Sequence, residues 1–132
     1  MDFRHFTPDD IRAPFARYSH GVEVPAGSRI LLCSGQVGVS IDDAIPESAG
    51  EQADLCFFNI SRILTEAGMR PANVVRINAF VTGREHLASY MAARDRFCSA
   101  IEPPPASTLM IVSGFARPEL KVEVEVTAAG PA

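Results

Sequence analysis

Residues 122–126 alternate without exception: Val122, Glu123, Val124, Glu125, Val126. In an extended strand, side chains two apart share a face. Three β-branched residues therefore face one way and two carboxylates the other. On a helix, at 3.6 residues per turn, the same five residues would scatter both kinds around the surface. The chain must contain a sheet with one covered face, and the upstream sequence has to supply both neighbouring strands and cover.

Those parts are present. Tyr18–Val24 alternates well enough for a strand, Pro25–Ser28 is turn chemistry, and Arg29–Gly35 is an apolar strand. Together they predict a hairpin. Residues 36–50 are rich in Gly, Pro and Asp and read as a loop. From Gly50 the period changes: Cys56, Ile60, Ile63, Leu64 and Ala67 follow helical spacing, with Gly68 as the C-terminal cap and Pro71 just beyond. Asn73–Thr82 is β-rich. Arg84–Ile101 predicts a second helix whose broad face holds Leu87, Tyr90, Met91, Phe97 and Ile101, with Arg94 as its only charge. Glu102–Pro105 ends it. Pro105–Ala128 closes the chain as two strands around a short loop. The expected fold class is α+β, in the order β-β-α-β-α-β-β: one sheet with two helices packed on one face, and residues 1–132 as a single domain. Hairpins at both ends imply antiparallel pairing there. Val122, Val124 and Val126 should lie under the helices, and Glu123 and Glu125 on the open face.

Two strands, Arg29–Gly35 and Ser107–Gly114, are nearly continuous apolar runs. Such strands are usually buried on both sides. The face left open by the helices is therefore expected to be closed by a second copy of the chain.

Composition narrows the function. The 132 residues are 47% hydrophobic and 21% charged, which supports a core and argues against disorder. The net charge of −4 suits no phosphate backbone, so no nucleic-acid partner is expected. No apolar run approaches a membrane span, and the N-terminal residues lack the apolar centre of a signal peptide, so a cytoplasmic location is expected. Cys33, Cys56 and Cys98 stand alone and read as free packing thiols. His5, His20 and His86 are too scattered for a local metal motif. Phosphate-binding loops and nucleophile elbows are absent from the sequence.

The pieces in their order resemble one family. Tyr-Ser-His-Gly-Val from Tyr18, Leu-Leu-Cys-Ser-Gly-Gln-Val from Leu31, Glu-Ala-Gly from Glu66, Pro-Ala-Ser-Thr from Pro105 and Lys-Val-Glu-Val-Glu-Val-Thr-Ala from Lys121 are similar to the RidA (YjgF) family. The resemblance covers roughly Phe15 to Ala129. It implies a chorismate-mutase-like fold and a homotrimer with three small-molecule pockets between subunits. It also implies hydrolysis of enamine and imine metabolites without a cofactor. By the resemblance, Tyr18, Ser34, Gly35 and Gln36 line the ligand site and Glu123 is the catalytic carboxylate. Spacing alone favours a solvated strand face for both glutamates; the family match singles out Glu123 and leaves Glu125 ordinary.

Three pocket positions depart from the family. Ser107 stands where an arginine grips the substrate carboxylate, Met91 where an asparagine is frequent, and Leu109 where a cysteine is common. Losing a charged hydrogen bond to a carboxylate costs about 1.5–3 kcal/mol, so a pocket with Glu123 and no cation should prefer a neutral or cationic ligand. Arg17 and Arg117 are candidates to replace the charge, although alternation turns Arg17 away from Tyr18. Two functions follow: an enamine or imine deaminase with altered substrate choice, or a trimer that binds a metabolite or partner without turnover. A nuclease or translation inhibitor, as family members are often labelled, ranks third on charge.

Overall fold

The computed structural model describes residues 2–132. Its main sheet contains β3 (Arg29–Leu32), β4 (Gln36–Val37), β5 (Val74–Val81), β6 (Ala106–Ile111) and β7 (Val122–Gly130), in the order β3-β7-β5-β6 with β4 also paired to β7. Two helices, α1 (Ala49–Glu66) and α2 (Leu87–Phe97), pack on one face. The expected α+β architecture holds. Two short strands add to the expected set: β1 (Arg4–Phe6), and β4, which lies in the segment that reads as loop.

Local sequence explains the helix ends. Ser48 precedes α1 and its Oγ accepts from the Glu51 amide at 3.1 Å. At the other end Gly68 takes φ 72°, the amide of Gly68 donates to Thr65 and that of Met69 to Leu64. That pair of reversed bonds is the glycine-terminated stop predicted at this position. The second helix is shorter than the predicted 84–101: Arg84–His86 forms a 3-10 turn, and after Phe97 the chain continues only in turns.

Both predicted hairpins are corrected. The Pro25 turn forms, with Ser28 N and Oγ donating to Pro25 O. Yet β2 (Gly21–Glu23) pairs with β1, and β3 pairs with the end of β7. Turn residues reverse the chain without dictating which strand it joins. Here Leu31 must pack against the core under α1, a position only the main sheet offers. At the C-terminus β6 and β7 do not pair. The β5-α2-β6 segment is a crossover, so β6 runs parallel to β5, while β7 lies antiparallel on the other side of β5.

Alternation along β7 sorts the two faces as predicted. Val122, Val124 and Val126 are buried in the core with Ile77, Ala79 and Val81 of β5 and with Cys56, Ile60 and Leu64 of α1. Phe57 stacks on Phe97 at 4.7 Å and on Tyr90 at 6.1 Å, which ties the helices together. Glu123 and Glu125 lie on the face without helices. There Ile30 and Leu32 are 53% and 75% exposed and Met110 is 52% exposed.

Candidate functional site

The residues singled out in the sequence fall into two groups. Tyr18, Met91, Ser107 and Leu109 come from three distant parts of the chain and line one cavity of about 290 Å³. Register places Ser107 and Leu109 opposite Ile77 and Ala79, on the helix-covered side of β6. Met91 comes from α2. Tyr18 is brought in by its neighbour: Ser19 is buried, its amide donates to Pro105 O at 3.0 Å and its Oγ to Pro104 O at 2.6 Å. This clamp makes a parallel bridge between Ser19 and Ala106, at the outer edge of β6. The Phe15 amide donates to Tyr18 Oη at 3.2 Å, leaving the phenolic proton for another acceptor. Phe15 and Ala16 complete that wall. The Phe15 ring is 80% exposed, with the Arg12 guanidinium 3.8 Å above its centroid.

The second group is elsewhere. Glu123 is on β7, and strand alternation turns it to the open face. Its carboxylate lies against Gly35: a Cβ on that glycine would stand 2.5 Å from Glu123 Oε2. Gly35 lets the carboxylate lie close against the backbone, and a side chain there would push the Glu123 carboxylate aside. Gln36 begins β4, opposite Val124, and its Nε2 donates to Ser34 O at 3.1 Å. Glu125 is engaged differently. Asn78 Nδ2 donates to Glu125 Oε1 at 3.1 Å, and Arg76 donates to Asn78 Oδ1 and Thr108 Oγ1, both at 2.9 Å. Glu125 thus belongs to a polar ladder across three strands, consistent with an ordinary structural residue. Within one copy, the cavity and Glu123 occupy opposite sides of the sheet.

The charge of the cavity differs from the expectation. Arg94 lines it, one helical turn after Met91, and is only 3% exposed. In the sequence it stands as the single charge on an apolar helix face, with nothing local to place it in a pocket. That isolation is the available signal, since a charge on a buried face needs a partner. The two arginines that the sequence offers for the missing charge are occupied elsewhere. Arg17 Nη1 donates to Cys98 O at 3.0 Å, Nη2 to Ile101 O, and Nη2 also pairs with Glu102 at 3.0 Å. Arg117 pairs with Asp43 at 2.9 Å and with Glu119 at 3.7 Å around a separate surface cavity. That network raises the Arg117 pKa, led by its hydrogen bond to Asp43.

The three thiols are free and buried. Burial pushes Cys56 up to about 12, with the Glu123 charge adding to the effect, and Cys98 up to about 11; burial raises Cys33 as well. Thiols held protonated in this way are packing groups, as expected, and poor nucleophiles.

Two helices roofing a mixed sheet, with a small cavity at one edge, define an α+β domain of compact two-layer type. Comparison with known proteins places it more closely. A family model described as Endoribonuclease L-PSP matches residues 10–130, and the chain belongs to that family, the YjgF/RidA group. A Yersinia pestis protein, YyfB, described as of unknown function in the conserved Rid family, superposes with TM-score 0.86; it is 28% identical and the match covers 98% of this chain and 100% of that one. A RutC family protein of Aquifex aeolicus is 27% identical over 114 residues, 86% of each chain. The mitochondrial protein mmf1 of Schizosaccharomyces pombe is 28% identical over 88 residues, 60% of this chain and 54% of that one. The match thus spans about half the length of mmf1. Among the described residues, no helix is long and apolar enough to cross a membrane.

Proposed function

We propose that the protein is a homotrimer that hydrolyses enamine or imine metabolites in pockets between its subunits. What supports this most is the convergence of Tyr18, Met91, Ser107 and Leu109, assigned to a pocket by family resemblance alone, on a single cavity. Glu123, the proposed catalytic carboxylate, sits on the opposite side of the sheet, so a neighbouring copy would have to bring it to that cavity. Apolar Ile30, Leu32 and Met110 on the open face suit such an association.

The chemistry asked of the site is modest. An enamine first tautomerises to the imine. Water adds its oxygen to the imine carbon while the C=N π pair moves to nitrogen. Glu123 takes the proton from the water and returns it to that nitrogen. The carbinolamine then collapses: Glu123 passes the hydroxyl proton to the amino nitrogen, the oxygen's electron pair forms the carbonyl, the C–N bond breaks and ammonia leaves. Ser34, Gly35 and Gln36, carried on the same subunit as Glu123, would hold the ligand with Ser107 and Tyr18 of the neighbour. Ser107 by itself would shift substrate choice away from that of family members with an arginine at its position; the other cavity-lining residues then decide the outcome. The acidic net charge argues against a nuclease.

The second reading is a trimer that binds a metabolite without turnover, favoured by the apolar Met91 and Leu109 at positions the family often fills with polar or reactive groups. The deciding experiment generates imines in situ from neutral, basic and acidic amino acids and follows their decay, with the oligomer mass measured in parallel. Acceleration by wild type that is lost by about 100-fold or more in Glu123→Ala supports the enzyme. No acceleration of any imine, with a gain on anionic ones in Ser107→Arg, leaves the binding reading.

A further inference from the structure

We infer that Arg94, on the last turn of α2, binds the carboxylate of an anionic ligand in the cavity it shares with Ser107. The identity of the site rests on the reading above; the sign of the ligand's charge rests on Arg94 itself. A guanidinium offers five donors, and burying it is costly unless they are engaged. Arg94 is 3% exposed, and its side-chain hydrogen bonds run to its sequence neighbour Asp95, at 3.3 and 3.4 Å. Those distances are long for charge-assisted bonds, which usually measure about 2.7–2.9 Å.

A simpler role would be to offset the negative end of the α2 dipole. That role needs no burial. Arg96, on the same turn, performs it from a 59% exposed side chain, paired with Asp54 at 2.9 and 3.0 Å. Arg94 instead turns onto a cavity whose other lining is neutral. Phe15, Ala16, Met91 and Leu109 are apolar, and Tyr18 and Ser107 contribute hydroxyls. A desolvated cation facing a metabolite-sized space, with two hydroxyl donors beside it, is chemistry for a carboxylate. The cation that the resemblance places on β6 is here supplied from the helix across the same cavity. Ser107, being small, leaves room for that approach. A 2-imino acid would then lie with its carboxylate toward α2 and its imine carbon toward the mouth of the cavity, where the neighbour's Glu123 is proposed to act.

The test compares imines made in situ from an amino acid and from its C-terminal amide, which differ in the carboxylate alone. Wild type should favour the carboxylate. Arg94→Met should lower kcat/KM on it by about 30-fold and leave the amide within about 3-fold, with Arg94→Lys between. Preference of wild type for the amide, or an equal fall on both substrates, overturns the inference. If wild type accelerates neither imine, the enzymatic reading fails and binding decides Arg94: pyruvate and pyruvamide are titrated into the intact oligomer and followed by NMR. Pyruvate binding that Arg94→Met abolishes sustains the inference; binding of neither, or of both alike, overturns it. Should Arg94→Met not fold, Arg94→Lys and the wild-type preference decide between the same two outcomes.

Discussion

Arg94 on α2 and Gln52 on α1 are polar side chains buried on the inner faces of their helices; the task proposed for the first is to hold a ligand, and the second anchors two loops. Neither task could be read from spacing. Arg94 shares its helix face with apolar residues, but the cavity it faces is built by Phe15, Ala16, Tyr18 and β6, which the sequence does not bring together. The assignments of Tyr18, Met91, Ser107 and Leu109 to one place came from resemblance to a family, not from any local pattern. Cys56 was legible as a packing thiol, and its burial has a measurable effect. Its proton is held to about 12, against roughly 8.5 for a free thiol. Between those values the unfolded chain releases a proton that the folded chain keeps, so this contribution to stability is intact below about pH 8.5 and declines as the pH rises. The urea midpoint should fall steadily from pH 9 to pH 11, and fall less steeply in Cys56→Ala. Identical slopes for the two proteins would show that Cys56 does not titrate on unfolding.

Elements were the most legible level. The strand-helix sequence, the glycine stop of α1 and the two faces of β7 all follow from periodicity and capping, because these are local properties. Pairing partners were not, because they depend on what each strand must bury. β3 needs Leu31 under α1 and so joins β7; β6 follows a crossover helix and so runs parallel to β5. The loops that lead into α1 and into β7 share an anchor, Gln52, which is fully buried. Its Nε2 donates to Pro46 O at 2.8 Å and Glu119 O at 3.0 Å, and its Oε1 accepts from the Lys121 amide at 2.8 Å. A Cβ on Gly38 would stand 2.7 Å from the Gln52 Cα, so β4 and the chain after it lie directly on the helix. Gln52→Leu keeps roughly the volume and leaves three partly buried backbone groups, Pro46 O, Glu119 O and the Lys121 amide, without their side-chain partner. It should destabilise the fold by about 3 kcal/mol or more, which thermal unfolding would register as a drop of roughly 10 °C. A drop of under about 2 °C would mean that these loops reach water when released.

The whole molecule carries its proposed site in two pieces, one on each side of the same sheet. The cavity with Tyr18, Arg94 and Ser107 belongs to the helix-covered side, and Glu123 with Gly35 to the open side. In the proposed trimer each subunit therefore contributes a different piece to each of two sites. Two defects would then be able to hide one another. Glu123→Ala and Arg94→Met subunits, each strongly impaired alone on carboxylate imines, would recover activity when co-refolded as mixed trimers, in about a quarter of their sites at equal proportions. Inheritance would show the same effect: in a cell carrying two damaged copies of this gene, lesions in different pieces would complement, while two lesions in the same piece would not.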